Sequence, residues 1–259
     1  MESTVRKGEE LKQIEAMIGD IGSYPYRTTQ SELEELRANE AKLLQLFEAK
    51  IKARLESWLT LAEERLRNTG IRLYLTGGND DPLEIEEIIK RFESDYIIDP
   101  EGDVVDIDGK HEMISCGYSN ITPWKCPRDI PEEKLADKIH SMISRVKDVN
   151  NALFNLHCPP YNSGLDLASE LDEALKPKID PASGGGEVYT PGKQSCAWSV
   201  ERYQPIATLH GHIHESRGFR KIGRTLCFNP GSEYGEGILR GVLLIFRNHK
   251  LDSFLLTEE

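Results

Sequence analysis

The chain has 259 residues, and its 32 Lys and Arg residues against 44 Asp and Glu residues give a formal net charge of −12. With 38% hydrophobic and 29% charged residues, the composition is typical of a globular protein with one large domain or two small ones, and it excludes a disordered chain. No apolar run is long enough for a membrane span, and residues 1–10 lack the basic start and apolar stretch of a signal peptide. We therefore expect a cytoplasmic protein with no membrane partner. The negative charge disfavours long nucleic acids, because their phosphates would be repelled unless bound cations reverse the local sign.

The cysteines are scattered, odd in number and without a Cys-x-x-Cys pair, which is typical of reduced thiols. This pattern supports neither a disulfide framework nor a zinc knuckle. The five are Cys116, Cys126, Cys158, Cys196 and Cys227.

The N-terminal part predicts a connector followed by a helical segment. A charged amphipathic stretch over 9–18 is broken by glycines and a proline, as in a connector. Over 31–67 apolar residues recur at helical spacing, which predicts one long helix or two in tandem, with Ser31 and Glu34 as a capping box. A stripe of Leu and Trp side chains that includes Trp58 should cover a core.

Strand and helix signals alternate after residue 70. The run 71–76 predicts a strand that ends in a polar turn, and Asp81 before Pro82 predicts a helix over 83–92, because Asp caps free N–H groups and Pro has none to lose. The other predicted helices cover 132–146, weakly 167–175, and 196–203. The other predicted strands cover 96–98, 104–107, 112–116, 152–156, 206–209, 225–228, 241–246 and 251–256, with an antiparallel finish.

Three junctions between a strand and the loop after it carry unusual polar residues. Asn79 and Asp80 follow the first strand, His157 follows the strand over 152–156, and the cluster 210–214 follows the strand over 206–209. In α/β sheets, ligand sites gather at the carboxyl ends of strands. We therefore expect these junctions to converge on one place although they are far apart in sequence.

His212 and His214 form the sharpest part of this pattern. Residues two apart in extended backbone point to the same side, so the pair can offer two imidazoles to one metal or to two adjacent metals. An isolated His-x-His is more often a pair of surface histidines. Oxygen ligands at Asn79 and a further imidazole at His157 favour Mn, Fe, Zn or Ni in a hydrolytic site, with His210 holding a ligand in place from behind.

Four short blocks carry a resemblance to a known family. They read Gly-Asn-Asp-Asp at 78–81, Asn-Leu-His-Cys-Pro-Pro at 155–160, Leu-His-Gly-His-Ile-His-Glu-Ser at 209–216 and Asn-Pro-Gly-Ser at 229–232. In this order they resemble the later signature blocks of the calcineurin-like metallophosphoesterases, and look closest to a prokaryotic branch of predicted phosphoesterases. The resemblance extends from about residue 24 onward.

The resemblance implies a fold and an activity. The fold would be a single domain over 1–259, a two-sheet α/β/β/α sandwich that is N-terminally incomplete, with 1–70 as connector and helical insertion and 71–259 as the sandwich core. The activity would be hydrolysis of a phosphate monoester or diester through a binuclear centre of two divalent metal ions. A small phosphate ester or nucleotide would be the substrate.

The resemblance also assigns residues. Asn79, His157 and His212 would be ligands of the second metal, and His214 would ligate the first. Asp80 stands where most of the family has a His that assists the leaving group. A carboxyl group can act as a general acid there only with a raised pKa. Asp80 could equally orient Asn79 or cap the helix that follows.

Two early blocks of the family do not occur in this sequence. They are a strand ending in Asp-x-His and a strand ending in Gly-Asp, and Gly19-Asp20 is only a superficial match to the second. Without them the first metal keeps His214 alone, the carboxylate that bridges both ions is missing, and a sheet edge lacks its partner. Another chain, as in a homo-oligomer, or a rearrangement would have to cover that edge. A late start of the chain and a degenerate member of the family both explain this pattern.

Two functions of different classes follow from these observations. The first is a metallophosphoesterase, favoured by the presence of all the later ligands. The second is a non-catalytic pseudo-phosphoesterase that works as a binding or regulatory module, favoured by the two absent blocks. The loop over 117–131 should border the pocket with Tyr118, Asn120 and Trp124, to which the sequence gives no role.

Overall fold

The computed structural model of the chain describes residues 8–172, 176, 178, 188, 189, 192 and 194–259. Within these residues the helices are α1 (Glu9–Asp20), α2 (Gln30–Ala38), α3 (Glu40–Leu66), α4 (Ile85–Arg91), α5 (Glu132–Ile143) and α6 (Gln194–Tyr203). The strands are β1 (Leu73–Tyr74), β2 (Ile97–Ile98), β3 (Val104–Asp106), β4 (Glu112–Cys116), β5 (Ser119–Asn120), β6 (Asp129–Ile130), β7 (Leu153–Leu156), β8 (Ala168–Ser169), β9 (Val188–Tyr189), β10 (Ala207–Leu209), β11 (Gly218–Ile222), β12 (Thr225–Asn229), β13 (Arg240–Arg247) and β14 (Lys250–Glu258).

The main sheet has six strands in the order β11-β12-β10-β7-β4-β3. The four inner strands β12, β10, β7 and β4 run parallel, and β11 and β3 pair antiparallel at the two edges. Parallel pairing puts the carboxyl ends of β4, β7 and β10 side by side at one edge of the sheet. The mixed α/β class predicted from the alternating signals is confirmed.

Four smaller pairs accompany the main sheet. β1 pairs with β2 and β5 with β6 in parallel, whereas β8 pairs with β9 and β13 with β14 in antiparallel fashion. The β13–β14 ribbon packs against the main sheet through Phe254, whose ring centroid lies 4.6 Å from that of Phe219 and 4.9 Å from that of Phe228. The antiparallel finish predicted for the chain is therefore present.

Two hydrophobic clusters stabilise these layers by removing apolar area from water. α5 and α6 cover the main sheet, where Ile114 and Phe154 of the strands meet Leu135, Ile139 and Cys196 of the helices. α3 and α4 cover the β1–β2 pair in a second cluster. Its fully buried members are Leu59, Ile85, Ile88, Ile89 and Ile97.

The helical segment consists of two helices that meet at Asn39. The Asn39 side chain accepts a hydrogen bond from the backbone N–H of Lys42 at 3.1 Å, so it caps α3 directly after α2 ends. The predicted capping box at Ser31 and Glu34 is wrong, because Thr29 caps α2 by accepting from the N–H of Glu32. Residues 9–18, predicted as part of a connector, lie within α1.

Two further element predictions are wrong. Asp81 does not cap a helix, since its carboxylate accepts from the N–H of Gly78 at 2.7 Å and closes the turn, while α4 begins only at Ile85. The weak helix over 167–175 is replaced by strand β8, which pairs with β9, although residues 173–175 lie outside the described part of the chain. Strand β11 escaped prediction because three of its five residues are exposed at a sheet edge.

All five cysteines lie within the described residues and are thiols rather than disulfides, as expected. Across the part of the chain that the structure describes, no helix combines the length and the apolar character that crossing a membrane requires.

Candidate metal centre

Two of the predicted site segments follow neighbouring parallel strands. His157 follows β7, and the 210–214 loop follows β10, its partner in the sheet. Backbone hydrogen bonds continue past the strand ends, from the N–H of His157 to the carbonyl of Cys116 at 2.9 Å and from the N–H of Gly211 to the carbonyl of His157 at 3.0 Å. The two junctions are therefore held together by the backbone itself.

The turn after β1 brings a third predicted residue to the same point. The Oδ1 atom of Asn79 lies 2.9 Å from Nε2 of His157 and 3.1 Å from Nδ1 of His212. The two imidazole rings have centroids 5.1 Å apart. Three residues separated by as many as 133 positions thus meet at one amide oxygen. We call Asn79, His157 and His212 the Asn79 cluster.

The approach of the Asn79 turn to His157 depends on Gly78. A Cβ atom at this position would lie 2.9 Å from Cε1 of the His157 ring, closer than carbon atoms normally come. His212 itself has a φ of 64°, a left-handed conformation that is uncommon for residues other than glycine. Such a conformation persists only where the surroundings determine it, and it often marks a functional site.

Asp129 sets the orientation of the Asn79 amide. Its Oδ1 accepts from Nδ2 of Asn79 at 3.2 Å, which turns the amide oxygen toward the histidines. Its Oδ2 accepts from the N–H of Thr122 at 2.8 Å, from the Thr122 hydroxyl at 2.5 Å and from the N–H of Cys126 at 2.9 Å. Burial opposes the charge, but these hydrogen bonds outweigh it and lower the pKa of Asp129.

Sequence reasoning missed Asp129. The usable signal was an acidic residue at the end of the loop over 117–131, in the spacing Thr-x3-Cys-x2-Asp that lets one carboxylate collect several loop N–H groups.

His210 is buried behind the cluster. Its Nδ1 lies 2.9 Å from the carbonyl oxygens of both Leu156 and Cys158, and its Nε2 lies 2.7 Å from the Thr208 hydroxyl. Burial lowers the pKa of His210 to about 4, so the ring is neutral near pH 7. The carbonyl contacts assign the proton to Nδ1, and the ring ties the end of β10 to the end of β7.

The 210–214 loop has a second support in Asn229, at the end of β12. Its buried Nδ2 donates to the carbonyls of Ile213 at 2.9 Å and Gly211 at 3.3 Å. The block over 229–232 thus supports the loop that carries the histidines through the side chain of Asn229.

His157 is neutral over the whole physiological range. Burial lowers its pKa to about 3, and the neighbouring rings of His212 and His214 contribute to this shift. A neutral imidazole is the form that binds a metal. His157 therefore offers a ring nitrogen beside the amide oxygen of Asn79 without a proton having to leave a charged group.

His214 lines the same cavity but stands apart from the cluster. It is exposed, and its ring meets the edge of Tyr234 with centroids 5.8 Å apart. Among the residues that the structure describes, no three or more His, Cys, Asp and Glu side chains group as a metal site would require. The cluster consists instead of two imidazoles and an amide.

Asp80 is exposed beside the cluster and lines the cavity. Its Oδ1 accepts a hydrogen bond from the Cys126 thiol at 2.7 Å, and burial together with this carboxylate raises the pKa of that thiol to about 11. The Asn79 amide is held by Asp129, so the two alternative duties considered for Asp80, orienting Asn79 and capping a helix, are not what its contacts show.

The cavity above these residues has a volume of about 1480 Å³. Asn120 and Trp124 line it, as expected from the loop that contains them. Tyr118 does not belong to that lining, since its ring faces the Lys138 ammonium group 4.1 Å away. The cavity therefore has a polar floor, formed by the Asn79 cluster. Its wall includes the 117–131 loop together with Trp58 and Tyr234.

Comparisons with known proteins place the fold only. No family model matches the chain. The uncharacterized protein MJ1162 of Methanocaldococcus jannaschii is 31% identical over 118 residues, which cover 46% of this chain and 47% of that protein. The match thus spans about half the length of this curated relative.

Two crystal structures resemble the chain in fold. One aligns over 96% of this chain and 92% of its own, with a TM-score of 0.56 and 17% identity. The other, TT1561 of Thermus thermophilus, aligns over 80% of this chain and 79% of its own, with a TM-score of 0.50 and 14% identity. At these identities the likeness concerns the α/β fold alone.

Proposed function

We propose that this protein is a metal-dependent phosphoesterase in which Asn79, His157 and His212 bind a divalent ion. One observation carries the proposal: the Oδ1 atom of Asn79 lies within 3.1 Å of a ring nitrogen of each histidine. Three potential ligands from loops after three separate strands thus meet at one point, and ligand sites in α/β proteins lie at such strand ends.

The donor set fits a divalent transition metal. Two imidazoles and an amide oxygen, without a thiolate, suit Mn, Fe, Zn or Ni and leave coordination positions open for a substrate. The lowered pKa of His157, near 3, keeps its ring in the binding form, and Asp129 holds the Asn79 oxygen toward the ion. When bound, such an ion supplies Lewis acidity toward a phosphoryl oxygen.

The remaining roles in the proposal belong to groups around the same cavity. His214 is the ligand for the other ion, the one that the family resemblance makes the first metal. The described residues offer a fuller ligand set for the ion at Asn79, His157 and His212 than for this one. Asp80, exposed at the cavity wall, is the carboxyl group that we assign to the leaving oxygen of the ester.

We further interpret the fold as a two-sheet α/β/β/α sandwich. Supporting this interpretation, the β13–β14 ribbon packs on the main sheet through Phe254, and helices α5 and α6 cover the main sheet. The ribbon would then belong to the second sheet of the sandwich.

A second candidate is the pseudo-phosphoesterase, a module that binds a metal or a partner without hydrolysis. It is favoured by the contacts of the nearest carboxylates: Asp129 is engaged by Asn79, Thr122 and Cys126, and Asp80 accepts from the Cys126 thiol. Neither carboxylate is positioned by these bonds to bridge two ions.

The test uses the full chain. We expect at least one manganese ion per chain by elemental analysis after dialysis, together with hydrolysis of p-nitrophenyl phosphate or of its bis-ester. A chelator should stop the hydrolysis. The His157→Ala variant should lose the ion and fall to the rate of the blank, because a ligand of the cluster is gone.

His140→Ala is the matched control, since His140 is an exposed residue of α5 and does not line the cavity. It should keep both metal and rate. Full hydrolysis by His157→Ala, or a chain that binds no manganese, would contradict the proposal. A bound ion with no hydrolysis of either ester would identify the binding module instead.

A further inference from the structure

The wall of the cavity exposes large apolar side chains. Ile121 and Trp124 are 62% and 58% exposed, and both line the cavity next to the Asn79 cluster. Trp58 of α3 and Tyr234 line it as well, with 59% and 60% of their surface exposed. Apolar groups gathered at one opening lose the stabilisation that burial would give them, which is typical of a ligand-binding surface.

The loop that carries Trp124 is fixed in place. Between Ile121 and the end of the loop, the Asp129 carboxylate accepts three hydrogen bonds from Thr122 and Cys126. The backbone also bonds to the Asn79 turn, through the N–H of Arg128 to the carbonyl of Asn79 at 3.1 Å. The exposed indole is thus presented by an ordered loop, so little ordering entropy remains to be lost when a ligand binds it.

The Asp129 carboxylate also connects this wall to the Asn79 cluster. Asp129 bonds to Asn79 on one side and to Thr122, the second residue before Trp124, on the other. A group lying on the indole is therefore held in a fixed relation to a phosphate at Asn79, His157 and His212.

The other rings come from different elements. The Arg54 guanidinium lies 5.9 Å from the centroid of the Trp58 ring, and Tyr234 lies edge-on to His214. Flat rings suit a flat partner, because offset or edge-to-face packing of aromatic groups is favourable beyond the area that it buries.

The size and charge of the cavity restrict the ligand further. Its volume of about 1480 Å³ is much larger than a phosphate group requires. The described residues that line it include the carboxylates of Asp80, Asp81 and Glu215 and no Lys or Arg. This lining disfavours a second phosphate group and suits an uncharged substituent.

We propose that the substrate is a phosphate ester bearing a planar aromatic group of nucleobase type, which stacks on Trp124 while the phosphate lies at the Asn79 cluster. This inference rests on the proposed phosphoesterase function for the phosphate end. Trp124 acts in binding and contributes nothing to the bond-breaking step.

The test measures binding apart from hydrolysis. Calorimetry on the full chain carrying Asp80→Asn, in manganese so that the phosphate end is held as proposed while loss of the carboxyl group assigned to the leaving oxygen slows hydrolysis, compares adenosine 5′-monophosphate with ribose 5-phosphate. We expect the nucleotide to bind about tenfold more tightly or better, as base stacking on aromatic side chains gives elsewhere. Phenyl phosphate against methyl phosphate distinguishes any planar ring from a nucleobase.

Variants locate the effect. Trp124→Ala should remove most of the preference, and Trp124→Phe should restore part of it because a ring is present again. Trp198→Ala is the matched control, since Trp198 is an exposed tryptophan of α6 outside the cavity lining, and it should keep the full preference.

Steady-state kinetics measured with manganese provide an independent test of the role of Trp124. Trp124→Ala should raise KM for the nucleotide by about tenfold and leave that for ribose 5-phosphate unchanged. Equal binding of all four ligands, or a preference that survives Trp124→Ala, overturns the inference even if the esters are hydrolysed. A preference lost in Trp124→Ala with no hydrolysis at all supports the stacking site at Trp124 and contradicts the proposed function.

Discussion

The floor and the wall of the cavity follow opposite rules of protein construction. On the floor, Asn79 and His210 are buried and their polar atoms bond to other groups of the protein, and the half-buried His157 bonds to Asn79. On the wall, Ile121 and Trp124 leave apolar surface in water. Folding alone favours neither arrangement. Burying a polar group costs free energy, and an apolar group left in water lacks the stabilisation that burial would give it. In the proposed function, the floor would provide the chemistry and the wall would provide recognition.

The sharpest form of this comparison lies within α3, where Trp58 and Leu59 are neighbours. Leu59 is 1% exposed in the cluster with Ile85 and Ile89, whereas Trp58 is 59% exposed at the cavity. We expect Leu59→Ala to lower the free energy of unfolding by about 2–5 kcal/mol, because it leaves a void in the core. Trp58→Ala should cost about 1 kcal/mol or less.

Urea denaturation followed by circular dichroism measures both values. Leu44→Ala, at a leucine of the same helix that is 55% exposed, is the control for truncation on the surface. A Trp58→Ala variant as unstable as Leu59→Ala would show that the wall is ordinary core, and would remove the distinction between wall and floor.

This helix also shows what periodicity can and cannot predict. The apolar spacing over 31–67 correctly predicts helices, and Ile51, Leu55 and Ala62 of the stripe pack in the cluster with α4 and β1. The predicted stripe included Trp58, which is exposed, whereas the fully buried neighbour is Leu59. Neighbours on a helix differ by about 100° in direction, and which of them faces the core depends on α4, whose position the local sequence does not contain.

The meeting of Asn79, His157 and His212 was easier to predict from the sequence than the role of Asp129, which supports them. Asn79, His157 and His212 each follow a strand, so the rule that ligand sites lie at the carboxyl ends of strands was sufficient to bring them together. Asp129 is 50 residues from Asn79 and lies in β6, a two-residue strand. Asp129 reaches Asn79 only because the 117–131 loop folds back toward it. Neither the hydrophobic pattern nor the composition of the sequence predicts that fold of the loop.

Asp129 therefore gives the next test of the floor. Asp129 accepts from Asn79 with one oxygen and from Thr122 and Cys126 with the other. In Asp129→Asn a single oxygen remains for all of these donors. If it serves Thr122 and Cys126, the new amide nitrogen faces Nδ2 of Asn79 and favours a flip that points NH2 at both histidines. We expect manganese to bind about 10- to 100-fold more weakly, the range typical of groups that orient metal ligands.

Calorimetric titration with manganese measures this loss, and the matched control is Asp252→Asn, at an exposed carboxylate that pairs with Arg247 within the β13–β14 ribbon. Melting curves of both variants should show that each is folded. Unchanged affinity in a folded Asp129→Asn protein would mean that the amide of Asn79 keeps its orientation without this carboxylate.

The smallest effect is expected at Gly78, where the floor tolerates the least extra volume. In Gly78→Ala the new Cβ would lie 2.9 Å from Cε1 of His157, so the ring would have to shift. Because Gly78 does not have a positive φ, the backbone accepts alanine without strain, and the contact with the ring is the main effect. We expect manganese affinity, measured by the same titration, to fall by about tenfold, since small displacements of ligating groups are costly.

The matched control for this substitution is Gly235→Ala, where a Cβ meets no atom within 4 Å and φ is likewise not positive. It should bind manganese as the unaltered chain does. Equal affinities in the two alanine variants would mean that the ring of His157 is free to move, and that the floor owes its geometry to the bound ion rather than to the fold.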